Sequence, residues 1–361
     1  MTSGPRISRI GLLLAALFAA GAHSPAAAQV AGAAAPVAPS DLPCSARQDV
    51  LGVSRVIEID TTGGPRYGRP DPESLLQAGE VILTFDDGPM KRYTVPILDA
   101  LDAECTLATF FIVGRMALAD PTTLREVARR GHTIGTHSWS HKRLDLIGAA
   151  KAKEEIELGQ SAIALALGAP VAPFFRFPYL GESATMRAHL KSRNVANFSI
   201  DVDSRDFLTR NPAVVRRNVM GQLAKTGKGI ILFHDIQPST AGALTSLLDE
   251  LKAGGYKVVH VVSKQPATLL PEYDAMAERE AQRRKLALTQ QPLADRSVVW
   301  PVTGGAVGAG VEVLPWAATT RPASTAAQST TPHHALPAQP PRPRLRPQID
   351  DDSWAIRPLG P

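Results

Sequence analysis

Along residues 80–264, short β-branched, aliphatic and aromatic runs alternate with longer segments whose apolar positions recur every three or four residues. The runs predict strands at 81–86, 107–113, 133–136, 173–177, 196–200, 229–234 and 257–262. Helices are expected between them, near 95–103, 122–130, 150–167, 183–192, 212–225 and 241–252. In the segment 150–167, Ile156, Ile163 and Leu167 form an apolar set with charged residues between them. Gly131 and the pair Gly254-Gly255 stand where helix C-termini favour left-handed backbone. Strands alternating with helices predict βα units around a parallel sheet, the α/β class. Seven strands suit a closed or nearly closed barrel, though the count alone does not exclude an open sheet.

The pattern changes on either side. Arg6 and Arg9 precede an apolar stretch, residues 10–22, that is short for a bilayer span. Ala26-Ala27-Ala28 then offers a small-residue cleavage site before Gln29, so residues 1–28 read as a secretory signal peptide, with an uncleaved anchor as the alternative. Residues 29–79 read as a lead-in and N-terminal arm, rich in Ala and Pro to about residue 43. A strand-like run at 53–59 and a Gly63-Gly64-Pro65 loop follow. Residues 265–361 contain one charged helical segment at 272–288, then Pro, Ala, Thr and Gly without period. That composition buries too little apolar surface to offset ordering, so the segment reads as a mostly disordered tail, with Asp350-Asp351-Asp352 a solvated cluster in it. No segment after the signal has an apolar run long enough to cross a membrane, so no transmembrane span is expected once it is cleaved.

Charge and cysteines narrow the picture. A net charge of +5 over 361 residues, without a basic stripe interleaved with aromatics, argues against a nucleic-acid partner. Export implies a secreted or periplasmic protein. It places the chain's two cysteines, Cys44 and Cys105, in an oxidising compartment, where a bridge is favoured over two free thiols. Their spacing gives no support for a zinc knuckle.

The chemistry lies at the strand ends. The first strand ends in Thr84-Phe85-Asp86-Asp87-Gly88-Pro89, and His137-Ser138-Trp139-Ser140-His141 follows the third. Arg176-Phe177-Pro178-Tyr179 ends the fourth, Asp203-Ser204-Arg205-Asp206-Phe207 follows the fifth, and Leu232-Phe233-His234-Asp235 ends the sixth. In parallel barrels these ends converge on one face. Each motif alone is an ordinary turn or a satisfied polar group. Together they bring carboxylates, three histidines and an arginine to one rim. Two histidines four apart plus one carboxylate leave open positions on a divalent ion, where water binds and becomes more acidic. Asp86 and Asp87 repel when both are charged. A metal on one and an arginine, Arg176 being the candidate, on the other resolves that conflict.

This set resembles the polysaccharide deacetylases, carbohydrate esterase family four, which include chitin, peptidoglycan and nodulation-factor deacetylases. The resemblance covers about residues 80–264, with all five family motifs in order. It implies a distorted (β/α)7 barrel and metal-assisted hydrolysis of an N-acetyl group on an extracytoplasmic amino-sugar polymer. By the same resemblance Asp86 is the general base, Asp87, His137 and His141 hold the metal, and Arg176 orients Asp86. His234 is the general acid, Asp206 tunes it, the Tyr179 N–H stabilises the oxyanion, and Leu232 lines the acetyl pocket. Zinc suits the donor set, with cobalt or another transition metal as an alternative. Phe207 stands where the family usually has Trp, and Leu180 intervenes before Gly181 in the Tyr179 loop. His132, His189 and His260 fall outside the motifs and read as structural or surface residues, and Trp139 reads as a packing residue, with contact to sugar as the alternative. The other readings are a non-catalytic glycan-binding envelope protein and a hydrolase of O-acetyl groups or non-sugar amides.

Overall fold

The computed structural model describes residues 43–69 and 75–290. The expected signal peptide, the Ala/Pro-rich lead-in and the tail beyond residue 290, with its acidic cluster, lie outside these residues. The chain divides into two units, Met1–Arg47 and Gln48–Pro361. The described part of the first is a single 3-10 turn, Cys44–Ala46. Neither cysteine is free, and both are disulfide-bonded.

In the second unit ten strands form one sheet among the described residues, and every pairing is parallel. β3 (Glu80–Asp86), β4 (Thr109–Ile112), β5 (Thr133–Thr136), β6 (Phe174–Phe175), β7 (Ala196–Phe198), β9 (Gly229–His234) and β10 (Lys257–Ser263) fall on the seven predicted runs. β4 through β7 follow β3 on one side, and β9 pairs with β3. β1 (Arg55–Ile59), in the segment expected as an arm, extends the sheet beside β10. Two two-residue strands were not anticipated: β2 (Arg66–Tyr67) beside β7 and β8 (Val202–Asp203) beside β9. Among the described residues no pairing joins β7 to β8, so the ring stays open there. The architecture is the expected α/β one, a distorted (β/α)7 barrel.

Strand β3 explains how the barrel presents its chemistry. All seven of its residues are buried, as in a parallel strand covered on both faces. Alternation sends Val81, Leu83 and Phe85 outward into the cluster shared with the helices. Ile82 points inward to meet Phe111, Phe174, Phe198 and Ile230. Thr84 and Asp86 share its face, so the strand's last inward residue is a carboxylate at the rim. β9 repeats the pattern, with Ile231 and Phe233 in the outer cluster and Ile230 in the inner one. Register sets Asp86 level with His234 on β9 and with Phe111 on β4.

The outer layer comprises α1 (Lys91–Ala103), α2 (Gly114–Ala119), α3 (Pro121–Arg129), α4 (Ala149–Leu167), α5 (Ala184–Ser192), α6 (Pro212–Thr226), α7 (Pro238–Ala253) and α8 (Pro271–Gln290). The short α2 was not anticipated, its six residues being too few to carry a helical period. Starts are capped where the sequence supplies acceptors: Asp120 accepts from Thr123 N and Ser183 from Met186 N. α8 packs on α4 through Leu158, Ala162 and Ala277, with Trp139, Tyr273 and Met276 at the margin. No described helix is long and apolar enough to cross a membrane.

Candidate active site

At the C-terminal rim the chain turns sharply after β3. Asp87 takes a φ of 80°, a left-handed conformation rare for a side chain, and its N–H donates to Phe111 O at 3.2 Å. This turn separates the two adjacent carboxylates. Asp86 stays on the inner face, where its Oδ1 accepts from Arg176 Nη1 at 2.7 Å. Arg176 is fully buried and held by four further contacts. It donates to Thr84 Oγ1, Phe198 O and Ser199 O, and its guanidinium lies 4.3 Å from the Phe111 ring centroid. Burial pushes the Asp86 carboxyl up to about 6, against the pull of Arg176 and His234.

Asp87 faces the two histidines after β5. Its Oδ1 lies 3.2 Å from His141 Nε2 and 3.6 Å from His137 Nε2. That oxygen is buried and has no hydrogen-bond partner among the described residues. His137 Nδ1 contacts Arg176 O at 2.8 Å. A carbonyl only accepts, so the proton sits on Nδ1 and Nε2 keeps its lone pair. Burial, then His141 beside it, holds His137 well below the usual histidine range. Burial also lowers His141, with Asp87 opposing. Two neutral imidazoles and a carboxylate oxygen left without a hydrogen bond fit a divalent cation. Ligand atoms about 2.1 Å from one ion sit about 3 to 3.5 Å apart, close to the separations of Asp87 Oδ1 from both histidines. All three ligand atoms lie within 4.8 Å of one another.

The histidine loop is held from α4. Glu155 accepts from Ser140 N at 2.8 Å and Ser140 Oγ at 2.7 Å, and its carbonyl accepts from Trp139 N. A Cβ on Gly159 would come within 2.5 Å of Ser138 C, so glycine is what lets α4 approach the loop. Ser138 and His141 both take positive φ, and Ser138 Oγ accepts from His141 N at 3.0 Å.

His234 ends β9, level with Asp86 on the neighbouring strand. Its Nδ1 bonds Asp206 Oδ1 at 2.7 Å, and its backbone N–H donates to Asp206 Oδ2 at 2.7 Å. Thr240 Oγ1 also donates to Asp206 Oδ2, and Ser239 Oγ donates to Asp206 O. Burial disfavours a charged imidazole, but the Asp206 carboxylate outweighs it and pushes His234 up to about 10. Burial likewise works against the Asp206 anion, yet His234 and these hydrogen bonds hold it below the usual carboxylate range. Asp203, a neighbour in the same motif, instead accepts from Arg205 N at the surface.

Tyr179 lies in the turn Pro178–Leu180 that follows Arg176, with a φ of 57°. Its exposed ring lies 4.7 Å from that of His141. Phe207, also exposed, meets His234 edge-on at 5.7 Å. Aromatic surface thus flanks both ends of the polar cluster. Outside the motifs His189 bonds Glu157 at 2.8 Å; within the histidine motif Trp139 packs beside α4 under Arg115. Glu155 and Thr240 were not anticipated. They act across 15 and 34 residues, and no local pattern marks them.

Residues 76–198 match the family described as Polysaccharide deacetylase. The chain is 30% identical over 181 residues to peptidoglycan-N-acetylglucosamine deacetylase PgdA of Listeria monocytogenes, covering 50% of this chain and 38% of that protein. It is 31% identical over 192 residues to a peptidoglycan-N-acetylglucosamine deacetylase of Bacillus cereus, covering 51% of this chain and 67% of the relative. Among solved structures, the peptidoglycan deacetylase of Bdellovibrio bacteriovorus aligns with a TM-score of 0.55 and 33% identity, over 61% of this chain and 62% of that one. The chain therefore spans well under half the length of the Listeria relative.

Proposed function

Because this chain belongs to the polysaccharide deacetylase family, we propose that it removes N-acetyl groups from an extracytoplasmic amino-sugar polymer, with a divalent metal, releasing acetate and a free amine. The observation that carries this reading is one rim holding three differently charged groups. These are an Asp87 whose Oδ1 has no hydrogen bond, set beside two neutral imidazoles, an Asp86 tied to Arg176, and a cationic His234 on Asp206. Amide hydrolysis needs all three: a deprotonated water, charge stabilisation at the carbonyl oxygen, and a proton for the leaving nitrogen.

Asp87, His137 and His141 would hold a divalent ion, zinc by the donor set or else cobalt, which when bound would supply polarisation of the acetyl carbonyl and a more acidic attacking water. Asp86 takes that water's proton. Arg176 occupies its Oδ1, which leaves Oδ2, 3.7 Å from His137 Nε2, on the side of the ligand cluster. The Tyr179 N–H stabilises the oxyanion, and Leu232 lines the place for the acetyl methyl. His234 gives its Nε2 proton to the departing nitrogen, while Asp206 on Nδ1 keeps the ring charged and oriented. An unprotonated amine is a poor leaving group, so this proton completes the cleavage.

Peptidoglycan is the first substrate to test, since that polymer is named in both curated relatives. Exopolysaccharide and chitin oligomers follow. Residues 6–28 support a location outside the cytoplasm. The experiment is acetate release from peptidoglycan, chitin oligomers and an O-acetylated glycan, before and after chelation. Release from an N-acetylated glycan, lost with chelator and restored by zinc or cobalt, is expected. No release from any glycan by metal-loaded protein would contradict the reading and favour a binding role.

A further inference from the structure

Asp235 directly follows His234, and the mechanism above gives it no task. It is fully buried, as is Thr94 on α1. Its backbone N–H donates to Asp86 O at 3.2 Å. Its Oδ1 accepts from Gly88 N at 2.9 Å, and its Oδ2 accepts from Thr94 Oγ1 at 2.6 Å. Thr94 Oγ1 in turn accepts from Met90 N at 2.8 Å. One residue therefore grips the chain on both sides of Asp87, at Asp86 and at Gly88. Asp87 is the residue whose left-handed backbone needs support from its surroundings. A Cβ on Gly88 would lie 2.0 Å from Asp235 Oδ2, so the turn admits this carboxylate only with glycine at that position.

We propose that Asp235 is a positioning residue: its carboxylate clamps the Gly88 N–H, fixes the turn at Asp87, and so delivers Asp87 Oδ1 to the point shared with His137 and His141. The clamp rests on the reading that these three residues hold a divalent ion. Outer contacts of this kind tune metal affinity by about 10- to 100-fold. A carboxylate that merely stabilised the fold would lower the melting temperature and leave the affinity of the folded protein unchanged.

The test is titration of metal-free protein with cobalt(II), read by visible absorption, whose bands report coordination geometry. In Asp235→Ala the cobalt dissociation constant should rise about 10- to 100-fold and the bands should shift. At saturating cobalt, kcat for acetate release should fall with KM unchanged. Asp235→Asn should stay within a few-fold of wild type with its bands intact, because the amide oxygen still accepts from Gly88 N and the amide NH2 can donate to Thr94 Oγ1. Thr94→Val, which leaves the carboxylate but removes its second partner, should show a smaller loss in the same direction, and it decides the matter if Asp235→Ala does not fold. Wild-type affinity and bands in Asp235→Ala, or in Thr94→Val standing in for it, would overturn the clamp. So would a loss in Asp235→Asn as large as in Asp235→Ala. A wild-type protein that gives no cobalt bands would remove the metal reading itself, and the clamp with it.

Discussion

Strand β5 carries a buried histidine at each end, His132 just before Thr133 and His137 just after Thr136. Burial pushes both below the usual histidine range, His132 to about 3. At the start of the strand His132 Nδ1 accepts from Ala108 N, and its Nε2 meets no partner among the described residues. The nearby His260 is also held neutral, at about 4 by burial, with Nε2 against Thr133 Oγ1 at 3.1 Å. At the far end the same neutral state exposes a lone pair to Asp87 and His141. His234, at the end of β9, has a carboxylate on Nδ1, which favours its cation instead. Burial alone leaves a histidine neutral, burial beside Asp87 turns a neutral imidazole toward a carboxylate oxygen, and burial on Asp206 favours the cation. Under the proposed reading the second becomes a metal ligand and the third a proton donor.

The largest break in that contrast is at the ligand set. His141→Ala should lose bound metal, and acetate release should fall by a factor on the order of 10³, since the ion contributes several kcal/mol to the barrier. Elemental analysis paired with acetate release checks it, and a variant that keeps its metal and rate would refute the assignment. His234→Ala should keep its metal while turnover falls about 10²- to 10⁴-fold. The loss should be smaller on an activated ester, which does not need a protonated leaving group. Equal losses on both substrates would count against a general acid.

Asp206→Asn sharpens the contrast by removing the anion without the imidazole. Asp206 raises the His234 pKa, so without it the proton is lost earlier as pH rises. The alkaline limb of the rate profile should move to lower pH, with a loss at neutral pH of about 10-fold or more. A profile that does not move would separate Asp206 from the proton donor.

The smallest effect is expected at the inert end. His132 and His260 have folded pKa values below the unfolded 6.5, so between those values the unfolded chain binds protons that the folded chain refuses. Their contribution to stability should therefore fall as pH drops from about 6.5 toward 4, by at most about 1.4 kcal/mol per pH unit for each group. His260→Gln should flatten the slope of melting temperature against pH in this window. An unchanged slope would mean that other groups set the acid limit.

The sequence carried much of this because its strands end where the chemistry begins. In β3 a run of buried apolar residues terminates in Thr84 and Asp86, so strand end and rim coincide in the pattern itself. His137 and His141 are four apart and Asp86 and Asp87 adjacent, so local spacing marks them. What supports them was not legible. Glu155 holds Ser140 from a helix, and the Arg176 carbonyl fixes the His137 tautomer across 39 residues. The left-handed turns at Ser138 and Tyr179 occur at residues whose type does not call for them. β2 and β8 are two residues long and have no period to read.

The central claim is that two adjacent carboxylates, Asp86 and Asp87, do different work because the turn between them sends one to Arg176 and the other to the histidines. Metal content measured side by side on purified Asp86→Asn and Asp87→Asn tests this most directly. The account predicts that Asp86→Asn keeps its full complement of metal while its turnover falls about 10²-fold or more, and that Asp87→Asn is purified without metal. Loss of metal from Asp86→Asn, or its retention in Asp87→Asn, would contradict it.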